Sequence, residues 1–491
     1  MYWLGIDVGT GGTRALLVNE EGKVRHGFTA PHEEMRMERA LWAEQRPENW
    51  WDAVQAAIRG VLSAAGTNGK DVAGIGLSGQ MHGLVLLDSN NSVIRPALIW
   101  CDQRSQKQVD DLNESIGQRA ILDYIANPVL TGFTLPKLLW VRDNEPDLFS
   151  RVRRVLLPKD FVRFKLTGEY VTDVSDASGS ALFDVVRRRW SSELVDRLHL
   201  DARILPHVLE SVEVSGRVSP TTASATGLVE GTPVVAGGGD QAASAVGNGI
   251  VEPGPVSCTI GTSGVVFAHT PSPLYDPAGR VHTFCHAVPG AWHVMGVTQG
   301  AGLSLQWFRR NLAPVETYET LLAEAATSPA GAQGLYWLPY LMGERTPHLD
   351  ASARGGWVGL TAKHTRADLI RAILEGVSYS QKDGLDIIEG LGVKVDSVRL
   401  SGGGARSGLW RQVFADVFGR RVTTLETEEG SAYGAALLAL AGTGTYGSIG
   451  DICKAAIREI SSLEPRAEDA AIYRRGHDLY QSLYPALKVI Q

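Results

Sequence analysis

The sequence lacks the features that mark several classes of protein. It has only four cysteines, and they form no CxxC pair, which excludes a disulfide scaffold and a zinc knuckle. No apolar run reaches the roughly 18 residues of a membrane helix. The formal net charge is -7 with no run of Lys and Arg, which disfavours a nucleic acid partner. Residues 1–7 lack the basic start of a secretory signal. We therefore expect a cytoplasmic protein with no membrane or nucleic acid partner.

Length and glycine content are what the sequence does have. A chain of 491 residues exceeds the roughly 100 to 200 residues typical of one domain. A strand, a glycine turn and a second strand occur at residues 2–18 and again at 256–268, with turns beginning 252 residues apart at Gly9 and Gly261. This spacing predicts a duplicated domain. Gly and Pro cluster at 247–255, so we predict an N-terminal domain over 1–245 and a C-terminal domain over 246–491.

Local patterns predict an α/β fold, since strand-like and helix-like stretches alternate along the chain. Residues 72–77 and 84–87 have the composition of strands. An amphipathic helix is predicted to begin at Pro47, and others over Ala367–Gly390 and Leu409–Gly419, where apolar side chains recur at helical spacing.

The first glycine turn carries a carboxylate. Asp7 ends a predicted strand and is followed by Gly9, Gly11 and Gly12, whose backbone N–H groups could approach an anion. A phosphate with its magnesium would suit this arrangement, although a solvated hairpin is the alternative. No Walker A loop is present, and a strand follows the glycines where a Rossmann loop needs a helix. The second turn has Thr259 at the position of Asp7, so only the first copy can attract a metal through a carboxylate.

A second candidate carboxylate follows three glycines. Asp240 lies after Gly237–Gly239 and before a run of small residues with helical character. It could cap the helix, a role that aspartate fills well. It could also act as a general base that accepts a hydroxyl proton during attack on a phosphorus atom.

Another glycine-rich loop, Ser401–Ser407, joins a predicted strand to a predicted helix. Its exposed peptide groups could bind a nucleotide base or a phosphate, and a plain tight turn is the alternative. The later stretch Ser431–Ala436 has small residues along one side. These could allow close approach to the loop or, equally, packing of a helix on a sheet.

Three further stretches combine polar and aromatic side chains. Gln80–Gly83 lies between two predicted strands and could contact a polyhydroxylated ligand. Trp100–Arg104 offers an aromatic face, an acid and a base suited to a sugar, with a surface salt bridge as the alternative. His282–His286 suggests a metal, but it has one cysteine and no second cluster, so we interpret it as structural.

These motifs together resemble the FGGY carbohydrate kinases over nearly the whole chain. Thr131–Trp140 resembles the first signature of that family, and Gly343–His348 resembles a second-domain loop of the members that phosphorylate D-xylulose. The resemblance implies two actin-like, ribonuclease H-like (ASKHA) domains with the active site in the cleft between them. It also implies magnesium-dependent transfer of phosphate from ATP to D-xylulose, giving D-xylulose 5-phosphate.

Residue chemistry and the resemblance together define a candidate site. The resemblance assigns Asp240 as the proton acceptor and Asp7 as a catalytic residue near magnesium, with water between them. The candidate sugar contacts are Gln80, Met81, His82, Trp100, Asp102, Asp240 and Gln241. The candidate nucleotide contacts are Thr10, Gly11, Gly12, Thr13, Arg14, Gly261, Thr262, Ser263, Gly403, Gly404, Ala405 and Arg406.

The sequence leaves some alternatives open. Gln241 stands where members acting on D-xylulose often have asparagine, so D-ribulose, gluconate or a deoxy-pentulose are alternative substrates. An actin-like or chaperone-like ATP-binding protein is the alternative of another class, because fold does not fix function. The expected partners are a sugar and ATP, and a homodimer is one arrangement that the sequence leaves open.

Overall fold

The computed structural model describes residues 1–490, with side chains described for residues 1–489. The strands of the first half are β1 (Tyr2–Val8), β2 (Gly12–Asn19), β3 (Val24–Pro31), β4 (Glu44–Gln45), β5 (Val72–Gly79), β6 (Val85–Leu87), β7 (Ala97–Leu98), β8 (Arg154–Leu156), β9 (Val171–Asp173), β10 (Phe183–Asp184), β11 (Arg189–Trp190), β12 (His207–Leu209), β13 (Val214–Arg217), β14 (Pro233–Val235) and β15 (Gly238–Gly239). Its helices are α1 (Pro47–Ala64), α2 (Gln106–Ser115), α3 (Gln118–Ile125), α4 (Thr134–Asn144), α5 (Pro146–Phe149), α6 (Pro158–Thr167), α7 (Val174–Ala177), α8 (Ser192–Arg197), α9 (Pro220–Thr226) and α10 (Asp240–Gly247).

The second half contains fewer and longer elements. Its strands are β16 (Gly254–Ile260), β17 (Gly264–Thr270), β18 (His282–Cys285), β19 (Trp292–Thr298), β20 (Tyr336–Leu338), β21 (Gly356–Val358), β22 (Val395–Ser401), β23 (Arg421–Leu425) and β24 (Glu459–Leu463). Its helices are α11 (Gly302–Leu312), α12 (Tyr318–Ala325), α13 (Arg366–Gly390), α14 (Gly408–Phe418), α15 (Gly430–Gly442), α16 (Ile449–Ala456) and α17 (Ala467–Leu487).

Each half is built on a mixed sheet with the same core order of strands. In the first sheet, β3, β2 and β1 run antiparallel, and β5 and β14 continue parallel to β1. In the second, β19, β17 and β16 run antiparallel, and β22 and β23 continue parallel to β16. The predicted duplication and the α/β class are therefore confirmed.

The two repeated hairpins occupy equivalent places in these sheets. The N–H of Gly9 donates to the carbonyl of Gly12 at 3.0 Å, and the N–H of Gly261 donates to the carbonyl of Ser263 at 3.1 Å. Asp7 lies opposite Ser78 in the parallel neighbour strand, and Thr259 lies opposite Ser401. The prediction that Thr259 replaces the carboxylate in the second copy holds in three dimensions.

The helices that the sequence predicts form at nearly the predicted residues. Pro47 occupies the first turn of α1, where backbone N–H groups have no partner within the helix, so the missing N–H of proline costs no hydrogen bond. Helix α13 begins with a capping box between Thr365 and Asp368. Helix α14 ends at Gly419, whose φ of 62° is left-handed and so favours glycine.

Helix α15 crosses from the second half of the chain onto the first sheet. It is apolar on all sides and almost wholly buried, which suits a helix enclosed by other elements. A Cβ added to Gly76 of β5 would lie 1.8 Å from the carbonyl oxygen of Ala435, and one added to Gly434 would lie 1.7 Å from that of Ala243 in α10. The small residues of this helix therefore serve helix-to-sheet and helix-to-helix packing.

The connection between the two sheets follows α10. The predicted division between residues 245 and 246 falls inside this helix, and the chain reaches β16 through residues 248–253. Among residues 1–490, no helix is both long and apolar enough to cross a membrane.

Candidate active site

Asp7 lies at the carboxyl end of β1, beside the first glycine turn. Its Oδ1 atom is buried and has no hydrogen-bond partner among the described residues. Burial raises the pKa of this carboxyl, and the neighbouring hydroxyls of Ser431 and Ser78 oppose that rise. A buried carboxylate oxygen without a donor is costly, so this atom is suited to a ligand that the chain itself does not supply.

Asp240 is the first residue of α10, so it does not occupy the cap position that one of the two predictions gave it. Gly239 occupies the cap position and makes no side-chain cap bond, so Asp240 lies within the helix. Burial and the negative charge of Asp7 raise the pKa of Asp240 to about 7, while the N–H groups of Gln241 act in the opposite direction. A carboxylate with a pKa near neutrality can accept and release a proton at working pH.

A buried ionic cluster supports the loop that leads to Asp240. The ammonium of Lys159 lies 2.6 Å from Asp160 and 2.8 Å from Asp173, and none of these side chains is exposed. Arg163 pairs with Asp160 at 2.7 Å and donates to the carbonyl of Ala236 at 2.8 Å. Through the bond from Arg163 to Ala236, the cluster thus fixes the start of the glycine loop.

A second contact reaches the end of the same loop. The N–H of Gly239 donates to Ser175 Oγ at 3.1 Å, and that hydroxyl donates to Asp173, which belongs to the cluster. Asp176 also lies 3.6 Å from Lys159, and both of its carboxylate oxygens lack a hydrogen-bond partner among the described residues. Burial raises the pKa of Asp176 well above its usual range, and the neighbouring charges of Asp160 and Asp173 act in the same direction. Sequence patterns gave no signal of this support.

His82 lies on the other side of the cleft in a fixed protonation state. Its Nδ1 lies 2.7 Å from the carbonyl of Gly179, which can only accept, so Nδ1 carries the proton. Burial lowers the pKa of His82 well below its usual range, and the ring stays neutral. Nε2 is therefore an acceptor, suited to a ligand hydroxyl.

The backbone of His82 is held by the stretch that resembles the first family signature. His82 has a φ of 69°, a conformation that few residues other than glycine adopt. Its carbonyl accepts from Thr134 Oγ1 at 3.1 Å and from the ammonium of Lys137 at 2.9 Å. Phe133 stacks on its ring with centroids 4.6 Å apart. Residues 131–140 thus fix the orientation of this histidine.

Met81 and Gln80 lie beneath the cleft. A Cβ added to Gly239 would lie 2.8 Å from Met81 Cγ, so this glycine allows the loop to close over the thioether. Gln80 accepts from Thr10 at 3.2 Å and donates to Gln45 at 2.9 Å, and Trp100 donates to Thr10 at 3.0 Å. Trp100 is 40% exposed, so part of its side chain is accessible to a ligand.

Asp102 departs from its predicted role as a sugar contact. Its side chain is fully buried, and its oxygens accept from the N–H of Ala43 at 2.6 Å and from Arg104. Arg104 in turn lies 3.8 Å above the ring of Trp42. No part of this carboxylate faces the cleft, so Asp102 positions the loop around it.

The first hairpin also divides into open and occupied residues. A Cβ at Gly11 would meet nothing within 4 Å, whereas Thr13 is fully buried with its hydroxyl 2.9 Å from His32. Arg14 forms a bidentate pair with Glu429 at the start of α15, at 2.8 to 2.9 Å. Thr13 therefore braces the hairpin instead of facing a nucleotide, contrary to the prediction, whereas the side chain of Arg14 is 34% exposed and its predicted nucleotide contact stays a prediction.

A cavity of about 620 Å³ opens in the second domain beside the second hairpin. It is lined by Ile260, Gly261, Thr262, Gly302, Leu305, Gln306, Tyr318, Glu319, Leu322, Gly403, Gly404, Arg406, Ser407 and Trp410. This set includes five of the predicted nucleotide contacts, namely Gly261, Thr262, Gly403, Gly404 and Arg406. The other two predicted contacts of this domain lie outside the lining. Ala405 is buried beneath the loop, and Ser263 lies at the exposed tip of the hairpin. Helices α11 and α12 were missed, because nothing in their sequences marks them as cavity walls.

The histidines near residue 282 are core residues, as predicted. His282, His286 and His293 are buried with lowered pKa values, to about 3 for His282 and His293, and their rings pack against Phe267 and Phe284. Among the described residues, no group of three or more His, Cys, Asp or Glu side chains is arranged to hold a metal ion.

Comparison with known proteins gives a consistent result. The model of the FGGY family of carbohydrate kinases, N-terminal domain, matches residues 2–247, and that of the C-terminal domain matches residues 256–443. A xylulose kinase of Bacillus subtilis is 42% identical over 99% of this chain and 97% of its own.

Two solved structures superpose over nearly their full lengths. A "xyloylose kinase" from Brucella ovis has a TM-score of 0.94 at 36% identity and covers 100% of both chains. A gluconate kinase from Lactobacillus acidophilus has a TM-score of 0.94 at 26% identity, covering 99% of this chain and 98% of its own.

Proposed function

This chain belongs to the FGGY family of carbohydrate kinases, and we propose that it transfers the γ-phosphoryl group of ATP to the 5-hydroxyl of D-xylulose, giving D-xylulose 5-phosphate. The similarity to xylulose kinases over almost the whole chain supports the sugar. The observation that carries the chemistry is Asp240, whose pKa of about 7 is set by burial and by the nearby charge of Asp7. Family membership removes the alternative of a chaperone-like ATP-binding protein.

ATP binds in the cavity of the second domain. Its apolar wall, formed by Ile260, Leu322 and Trp410, suits the flat adenine ring, and the glycines of both loops leave backbone N–H groups near the phosphates. Gly11 offers a similar open approach from the first hairpin. The triphosphate then lies between the two turns and points towards Asp7 and Asp240.

Asp7 is suited to magnesium through water. Its Oδ1 is buried, and no described residue donates to it. A hydrated Mg²⁺ ion keeps several water ligands that can donate to such an oxygen. When bound, the ion would neutralise charge on the phosphates as they transfer. The residue itself contributes a fixed negative charge that also raises the proton affinity of Asp240.

Asp240 acts as the general base. The sugar hydroxyl loses its proton to this carboxylate as the oxygen attacks the γ-phosphorus, so the bond to ADP breaks while the new ester forms. The ionic cluster around Lys159 fixes the glycine loop that leads to the base. A base held within hydrogen-bond reach avoids the cost of ordering it at each turnover.

His82 and Met81 bind the rest of the sugar. His82 Nε2 accepts from a hydroxyl, Met81 provides an apolar surface, and the accessible part of Trp100 can stack on the carbon chain. Gln241 lies beside the base and can reach a neighbouring hydroxyl. Closure of the two domains over these groups excludes water, so ATP hydrolysis is slower than sugar phosphorylation.

A substrate panel tests this proposal. ADP release is measured with D-xylulose, D-ribulose, a deoxy-pentulose, gluconate and pentitols, each at several concentrations. We expect the highest kcat/KM with D-xylulose. The structural similarity to a gluconate kinase makes gluconate the sharpest competitor, and a higher kcat/KM for gluconate than for any pentulose would refute the assignment of the sugar.

A further inference from the structure

Arg345 is an unpaired cation at the cleft. It lies in the loop between β20 and β21, within the stretch Gly343–His348 that resembles a family loop but had no assigned role. Its side chain is half-buried, and no hydrogen bond or ion pair to it occurs within the described part of the chain. The neighbouring carboxylate of Glu344 accepts instead from the N–H groups of Gln299 and Arg345. A half-buried guanidinium in this state has lost part of its hydration without gaining a partner among the described residues.

The guanidinium lies beside the stretch of the first domain that fixes the orientation of His82. A Cβ added to Gly132 would lie 3.7 Å from Arg345 Nη2. Its positive charge helps to lower the pKa values of His82, Lys137 and His282, so the guanidinium lies near all three side chains. A loop of the second domain therefore completes a pocket built mainly by the first.

The pocket has acceptors for hydroxyl protons but few free donors. His82 Nε2 and Asp240 both accept, and the ammonium of Lys137 already donates to the carbonyls of His82 and Gly132. A ketose differs from a pentitol by one carbonyl oxygen, which accepts and cannot donate. Arginine has five N–H donors and no acceptor, so it matches that oxygen.

We propose that Arg345 is a specificity-determining residue that donates hydrogen bonds to the carbonyl oxygen of the open-chain ketose, at the end of the sugar far from the 5-hydroxyl. This inference rests on the proposed function. The Arg345 side chain binds the keto group from the second domain, while His82 and Asp240 accept hydrogen bonds from hydroxyls on the side of the first domain. The pocket is then complete only when both domains contact the sugar.

The test uses the full-length Arg345→Met and Arg345→Lys variants. Loss of one charge-assisted hydrogen bond to the ketose is expected to raise KM for D-xylulose about 10- to 100-fold in Arg345→Met, with partial recovery in Arg345→Lys. KM for ATP and the inhibition constant of xylitol, which lacks the carbonyl, stay within about twofold of wild type. Arg475→Met, an exposed residue on α17, serves as the control and leaves all of these unchanged.

The outcomes separate this inference from the proposed function. If KM for D-xylulose and KM for ATP rise together, or if xylitol binding weakens as much as D-xylulose binding, Arg345 does not read the carbonyl. If wild type prefers gluconate and Arg345→Met loses gluconate instead, the guanidinium binds a carboxylate and the inference is overturned together with the sugar. Unchanged KM for D-xylulose in Arg345→Met overturns the inference alone, because wild-type activity on D-xylulose would still stand.

Discussion

Asp7 lies in β1 and Asp240 at the start of α10, yet the two carboxyls are close enough that the charge of Asp7 raises the pKa of Asp240. Each ends or follows a strand of the first sheet, where β1 and β15 both pair with β5. Asp7 has a carboxylate oxygen to which no described residue donates, and Asp240 has a pKa near neutrality. Two acids in one pocket are thus given different roles by their surroundings.

Replacing the base should abolish most of the turnover. In Asp240→Ala, kcat is expected to fall about 10²- to 10⁴-fold, because proton transfer from the sugar loses its acceptor. Calorimetric binding of ATP should change little. Asp201→Ala removes an exposed carboxylate that pairs with Arg203, and it should retain full activity. An Asp240→Ala enzyme with near-normal kcat would exclude this role.

The pH dependence of kcat/KM should report the same group. Asp240 must be ionised to accept a proton, so kcat/KM is expected to rise with pH through about 7 and then level off. In Asp7→Asn, the remaining activity should show this rise at lower pH, because a negative charge that disfavours ionisation is gone. A rise at unchanged pH in the variant would show that Asp7 does not act on the base.

The ionic cluster under the loop should matter for stability as well as rate. Lys159→Met leaves three buried acids short of a cation and is expected to lower the free energy of unfolding by about 3–5 kcal/mol. Lys107→Met removes an exposed pair with Asp111 and should cost under about 1 kcal/mol. Urea unfolding of both variants provides the comparison, and equal losses would argue against the cluster.

A milder change isolates the contact to the loop. Ser175→Ala removes only the hydroxyl that accepts from the N–H of Gly239, so kcat should fall while KM for ATP stays the same.

The close approach of α15 to α10 should tolerate no side chain. In Gly434→Ala, the added carbon meets the carbonyl oxygen of Ala243 at 1.7 Å, so the loss of stability should reach or exceed the upper end of the roughly 1–3 kcal/mol of an overpacked core. Gly390→Ala, at the end of α13 with nothing within 4 Å, should be neutral or stabilising. Thermal unfolding of the pair separates packing from helix propensity.

The nucleotide cavity can be filled without disturbing the fold. A Cβ at Gly403 would meet nothing within 4 Å, so Gly403→Leu should fold normally and project into the cavity. We expect KM for ATP to rise about tenfold or more, which corresponds to a loss of about 1.4 kcal/mol in the free energy of ATP binding. KM for D-xylulose should not change. If only KM for D-xylulose changed, ATP would not bind in this cavity.

Local sequence patterns were sufficient for the elements that depend on local chemistry. The two hairpins follow from glycines between apolar strands, and α14 follows from apolar spacing between Ser407 and Gly419. Asp240 was identified because three glycines precede it. These features need no knowledge of distant residues.

Long-range packing decided the rest of the candidate site. Asp102 has the chemistry of a sugar contact, but its burial against Arg104 depends on strands far apart in the chain. The ionic partners of Lys159 and the α12 wall of the cavity are likewise assembled by tertiary contacts. In the sequence, Arg345 is only one residue of a loop that resembles the family. The three-dimensional structure is needed to show that no described residue pairs with its guanidinium.

Direct identification of the product tests the central claim. The enzyme is incubated with ATP and D-xylulose labelled with ¹³C at carbon 5, and the product is examined by ¹³C and ³¹P NMR. We predict a one-to-one yield of ADP and a sugar phosphate whose phosphorus couples to the labelled carbon. Phosphate on another carbon, or ADP formed without any phosphorylated sugar, would contradict the account.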